Sequence, residues 1–237
     1  RATLEAGLEY TLFDGSQINV NPLAGQESRR SLPLSLGYAA RMETDTSIWG
    51  YNATIALNLP LGNAGNLAAY QSEDPRVTTV HWKALRGGGN YATALPSGWL
   101  WSVRGQFQYS PDSLISGEQF GLGGASSVRG TSERPLSGDS GVLMSTELTS
   151  PEWMPGLRVV GFADAGWLSN NATIPNAKPS QDSLSSVGLG LRYAVGNYSV
   201  NADYGRVITG SATSPLSVSG TPQAGDQKLH INVAARF

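Results

Sequence analysis

The stretch Leu157-Arg-Val-Val-Gly-Phe-Ala-Asp-Ala-Gly-Trp167 reads as a strand with two unlike faces. Leu157, Val159, Gly161, Ala163, Ala165 and Trp167 fall on one side, and Arg158, Phe162 and Asp164 fall on the other, which is the two-residue period of extended chain. The charged residues lie on the face that carries Phe162, and Asp164 stands between two alanines. An ionised side chain there needs water or a partner. The apolar side is unbroken and faces something greasy.

The same alternation runs through the rest of the chain. At the end, Leu229, Ile231, Val233, Ala235 and Phe237 oppose Lys228, His230, Asn232 and Arg236. At the front, Leu4, Ala6, Leu8, Tyr10 and Leu12 oppose Glu5, Glu9 and Thr11. Further strands are expected near 32–43, 48–59, 77–93, 98–109, 141–150, 157–168, 185–194 and 198–208, ten in all. They are longer than the about five or six residues usual in soluble sheets and match the about nine to eleven that a tilted strand needs to cross a bilayer. In the later strands Val103, Phe107 and Tyr109 oppose Arg104, Gln106 and Gln108, and Leu189, Leu191 and Tyr193 oppose Gly188, Gly190 and Arg192. Apolar-out and polar-in is the pattern of a wet-cored membrane barrel. The run Arg86-Gly-Gly-Gly89 breaks it and marks a bulge or a close backbone approach.

Two further patterns favour a barrel over a soluble sandwich. Long connections (13–31, 60–76, 110–140, 169–184, 209–227) alternate with short ones (44–47, 94–97, 195–197) and one of modest length (151–156), as periplasmic turns alternate with external loops. Trp49, Tyr51, Tyr91, Trp99, Trp101, Trp153, Tyr193, Tyr198 and Phe237 lie at strand ends beside the short turns, and Tyr10, Phe13, Tyr109, Trp167 and Tyr204 lie near the long loops. Two such belts suit the two headgroup levels of a bilayer. Arg41, Glu43, Arg104, Glu147, Arg158, Arg192, Asp203, Lys228 and Arg236 then line the interior as a wet wall of mixed sign.

Composition closes other routes. A net charge of -2 gives no footprint for nucleic acid, and the absence of Cys excludes disulfides and thiolate metal sites. Gly138-Asp-Ser-Gly141 mimics a serine-protease nucleophile segment, but the only histidines, His81 and His230, are expected on strands with no matching context. They offer no metal site either, since no third ligand can be placed. Gly121-Leu-Gly-Gly124 lacks the strand-to-helix setting of a nucleotide loop. No enzyme activity, cofactor or metal is expected.

The longest connection, 110–140, carries Glu118-Gln-Phe-Gly-Leu-Gly-Gly-Ala-Ser-Ser-Val-Arg-Gly130. Its glycines allow tight folding around one cation, Arg129, and a bidentate contact to Asp164 would be charge-assisted and specific. The run from Phe120 to Gly130 resembles the loop motif of two-partner secretion transporters, the hemolysin-activator type of outer-membrane protein. Phe162-Ala-Asp-Ala-Gly166 resembles their companion strand motif. The fold implied is all-β: an antiparallel transmembrane β-barrel of sixteen strands, whose C-terminal ten are those within residues 1–237, with 111–140 inserted in the lumen. The resemblance implies periplasmic POTRA domains before these strands, and it implies a lock between Arg129 and Asp164. The loop motif is Phe120, Gly123, Gly124, Val128 and Gly130, the strand motif includes Phe162 and Gly166, and Phe237 is a C-terminal signal to the barrel assembly machinery. Thr131 stands where the family has an aromatic. The implied task is export of a large passenger polypeptide, an adhesin or cytolysin, across the outer membrane of a Gram-negative-type bacterium, with lipid and the passenger as partners. A barrel assembly factor of the same superfamily, a passive porin or a surface antigen are the alternatives.

Overall fold

The computed structural model describes residues 2–13, 27–62 and 64–236. Ten long strands form one antiparallel sheet in which each pairs with its neighbours along the chain. They are β1 (Ala2–Leu8), β4 (Pro33–Glu43), β5 (Ser47–Asn58), β6 (Lys83–Ala94), β7 (Leu100–Tyr109), β10 (Ser140–Thr149), β11 (Leu157–Ser169), β12 (Gln181–Val195), β13 (Tyr198–Thr209) and β14 (Gln227–Ala235). Among the described residues the connections carry two short ladders, β2 (Thr11–Phe13) with β3 (Arg29–Ser31) and β8 (Phe120–Leu122) with β9 (Leu136–Gly138), one α-helix, α1 (Leu67–Glu73), and a 3-10 turn at Pro96–Gly98.

Facing follows the alternation of the sequence. Leu36, Tyr38, Tyr51, Ile55, Phe107, Val142, Met144, Trp167, Leu189, Leu191, Leu229, Ile231 and Val233 are exposed on the outward face. That amount of uncovered apolar surface is far beyond what a soluble monomer shows, and it is what a strand wall facing lipid requires. Of the aromatics beside the short turns, Trp49 and Tyr51 stand on this face, stacked at 6.1 Å, as do Tyr91 and Trp101, edge-on at 5.8 Å; Tyr109, Trp167 and Tyr204 near the long loops are exposed as well. No helix of the described residues is long and apolar enough to cross a membrane.

Three details differ from the sequence reading, and a fourth decides between two alternatives that it left open. The front strand stops at Leu8 instead of continuing to Leu12. Pro33, opposite Glu9, has no N–H to return the hydrogen bond that Glu9 donates to its carbonyl (3.2 Å), so the ladder breaks there and residues 11–13 pair separately. The strand expected from 77 begins at Lys83, because Val77 and Trp82 turn inward to be buried against Tyr70, Leu114 and Ile115. His81 therefore sits in a bend before β6 and not on a strand. The glycines at 87–89 make no bulge: β6 keeps unbroken register with both neighbours. They make a close approach instead, since a methyl group at Gly87 would stand 2.6 Å from the Phe107 ring and 2.7 Å from the Asn52 carbonyl.

α1 was not legible in the strand pattern. Asn66 caps it by accepting from the Ala69 N–H at 2.8 Å, and the chain then turns its Tyr70 onto the inward wall. There Ala56 and Ala84, directly paired across β5 and β6, leave room for the Tyr70 and Trp82 rings. The Tyr70 hydroxyl donates to the Arg30 carbonyl (2.7 Å) and accepts from Asn58 (3.1 Å), so its polar end is satisfied.

Candidate functional site

The 110–139 connection folds back over the inward face of β10–β14. β8 and β9 form its stem, and residues 123–135 form a tight tip. Gly123, Gly124 and Gly130 have φ of +101°, +104° and +93°, which side chains rarely tolerate. The tip is knitted by its own hydroxyls: Gly123 donates to the Ser127 hydroxyl (3.1 Å), Gly124 to that of Thr131 (3.0 Å), and Thr131 donates to the Val128 carbonyl (2.9 Å). Thr131 thus spends its hydroxyl on hydrogen bonds inside the loop.

This tip presents Arg129 to the wall. Nε and Nη2 donate to the two oxygens of Asp164 at 2.8 Å each, and the Arg129 backbone N–H donates to Oδ2 at 3.1 Å. Nη2 also reaches the Ser145 hydroxyl (3.2 Å), which itself donates to Asp164 at 2.6 Å, and Nη1 pairs with Glu147. The guanidinium lies over the Phe162 ring, 3.5 Å from its centroid. Arg129 is 3% exposed and Asp164 2%. A guanidinium cannot shed its charge, so burial at this depth is tolerable only because nearly every donor is matched. The register explains the convergence: Ser145 is paired with Asp164 and Glu147 with Phe162 across β10 and β11.

The next strands supply the space. A methyl group at Gly188 would fall on the Phe162 ring, so Phe162 lies flat between β12 and Arg129. The backbones of Gly130 and Gly205 cross so closely that a methyl at Gly130 would stand 2.8 Å from the Gly205 carbonyl. Gly130 N–H also points to His230 Nε2 at 3.3 Å. Leu122 sits on Gly166, and with Val128, Leu136, Leu143, Leu168, Leu184 and Val207 it forms an apolar cluster under the stem, against which Phe120 packs. Arg192 and Asp203 pair beside the site at 2.7 Å, and Asp203 comes within 4.0 Å of Arg129.

The structure therefore brings Arg129, Asp164, Phe162, Val128, Gly130 and Gly166 into one neighbourhood, with Phe120, Gly123 and Gly124 shaping the loop that carries Arg129. Phe237 lies outside the described residues. Ser145, Gly188 and Gly205 were missed, and Glu147 was read only as wet wall. No signal within one strand singles them out, because they matter through cross-strand register. Asp139, from the protease-like segment, is a buried strut: it accepts from the Leu114 and Asn171 N–H groups (2.9 Å each) and lies 3.7 Å from Arg76, itself paired with Asp74 at 2.6 Å.

Fold and site together define an outer-membrane β-barrel whose inner wall grips an inserted loop through a buried arginine. The family model described as haemolysin secretion/activation protein ShlB/FhaC/HecB matches residues 13–193. The chain belongs to that family. The outer membrane transporter CdiB of Escherichia coli is 37% identical over 79 residues, which cover 32% of this chain and 13% of the relative. The solved structure of CdiB from Escherichia coli superposes with a TM-score of 0.76 at 21% identity, covering 100% of this chain and 42% of that one. BamA from Haemophilus ducreyi lacking POTRA domains 1-3 gives 0.61 at 14% identity, covering 98% of this chain and 51% of that one. At those identities the two structures attest the fold. The chain spans less than half the length of the CdiB proteins it matches.

Proposed function

We propose that this chain is the C-terminal ten strands of a sixteen-stranded two-partner secretion transporter, and that the barrel exports a large passenger polypeptide, an adhesin or cytolysin, across the outer membrane. The loop at 111–140 is its plug, Arg129 with Asp164 is the latch that holds the plug to the wall, and β14 with Phe237 is what the barrel assembly machinery reads during insertion. The observation that carries this reading is the burial of Arg129: a wet pore has no need to desolvate a cation, whereas a plug that must stay registered on a wall does. Family membership favours secretion over the assembly-factor reading, which shares the fold.

Export assays and planar-bilayer conductance test it. Removing 111–140 opens the pore sharply if the loop is a plug; a plain porin changes little. Arg129→Ala and Asp164→Ala each abolish export, and the double variant is no worse than either, because one interaction is broken. Additive losses would refute a direct latch.

A further inference from the structure

The outward face of β6 and β7 carries a dent that the inserted loop does not explain. Gly89 and Gly105 are paired directly across the two strands, in one outward row with Tyr51 on β5 and Met144 on β10. Over this bare spot opens an apolar cavity of about 660 Å³, walled by Phe107, Val142, Met144 and Trp167. A second hollow beside it, lined by Trp49, Tyr91 and Val103, shares Gly89 and Gly105.

Neither glycine is there for the backbone. Neither has a positive φ. A methyl group would stand 3.4 Å from the nearest atom at Gly89 and 3.8 Å at Gly105, which are ordinary contacts. Gly87, two residues away, is different, because the Phe107 ring lies across it. A strand-interior glycine costs about 0.5–1 kcal/mol relative to alanine, and two side by side with free space above them mark a place where something from outside the chain comes close.

We propose that this dent seats one acyl chain of a membrane phospholipid. The outward face is the lipid face of an outer-membrane barrel, and the dent is continuous with it. Its walls are ring and side-chain carbon, and the backbone groups beneath belong to the ladders between β5, β6, β7 and β10. Water would find almost no partners there. Gly105 is midway along β7, between Leu100 near the short turn and Tyr109 near the long loop, so the glycine floor of the dent sits near mid-bilayer and meets hydrocarbon, with Trp167 at its long-loop rim. A chain lying across it gains dispersion contacts with the rings and with the polarisable Met144 thioether, and it covers the thinnest part of the wall. The inference requires only that the sheet span a bilayer; it holds whether or not the barrel exports a passenger.

The test uses the protein in vesicles of phosphatidylethanolamine and phosphatidylglycerol carrying a diazirine on the acyl chain. After photolysis, the segments spanning 85–107 take up several-fold more label than the outward segments of β13 and β14. Gly89→Leu and Gly105→Leu fill the dent and abolish that excess. Gly161→Leu, at another outward glycine with nothing near its missing side chain, leaves it intact. Equal labelling of all outward segments in the unaltered protein overturns the proposal, and does so even if a leucine variant fails to insert. So does retention of the excess in both leucine variants. Protection of 85–107 from lipid label, together with cross-links to a second polypeptide, overturns it in favour of a protein partner.

Discussion

The two ends of the inserted loop are held to the same wall by opposite physics. Near its start, Leu114 and Ile115 are fully buried with Tyr70, Val77 and Trp82 over Ala56 and Ala84. At its tip, Arg129 is held by carboxylates, a hydroxyl and a ring face. Apolar burial is non-directional and loses strength only as area is uncovered. A buried ion pair is directional, and either partner left alone is strongly unfavourable. The first anchor tolerates small displacements; the second is all-or-none. A device that must be either docked or released is better served by the second.

Removing one side of the ion pair should give the largest effect. Asp164→Ala leaves Arg129 buried beside a void and weakens loop docking by about 3–5 kcal/mol, read as frequent channel openings and protease cleavage within 116–134. Leu114→Ala should destabilise the apolar anchor by about 2–5 kcal/mol, read as a lower unfolding temperature with few added openings. If it opens the channel as readily as Asp164→Ala, the two anchors do not differ in kind. Gly130→Ala forces a side chain into a positive-φ position against the Gly205 carbonyl and should weaken docking by about 1–3 kcal/mol. It should leave the apolar anchor untouched, visible as unchanged protection around Trp82.

The smallest effect is a pH dependence in the outer loops. Lys178 donates to Gln119 at 2.5 Å, and burial, with the Arg76 charge second, pushes its ammonium down to about 8. Asp74, Asp139 and Glu73 oppose that shift. Because the folded protein holds this proton less tightly than the unfolded chain does, Lys178 weakens folding at neutral pH. That penalty fades as pH rises from about 8 towards the ordinary lysine range near 10.5. Lys178→Met should flatten stability across that window in thermal unfolding; an unchanged slope would place the pH dependence elsewhere.

The strand of Leu157–Ser169 shows how much was legible locally. Its facing, its length and the isolation of Asp164 among alanines follow from a period of two and from the desolvation of a carboxylate, both local properties. The β6 glycines show the limit. From the sequence they could be a bulge or a close approach, and only the Phe107 ring of the neighbouring strand decides which. Likewise α1 and the inward turn of Val77 and Trp82 follow from a vacancy over Ala56 and Ala84, strands apart in the chain.

Local alternation, loop lengths and aromatic placement by themselves determined a membrane-crossing β-wall with one arginine and one aspartate suited to each other. Tertiary structure alone decided that Ser145, Glu147, Gly188 and Gly205 complete the site, because strand register is set by pairing across the sheet, and no single strand carries that information in its own sequence.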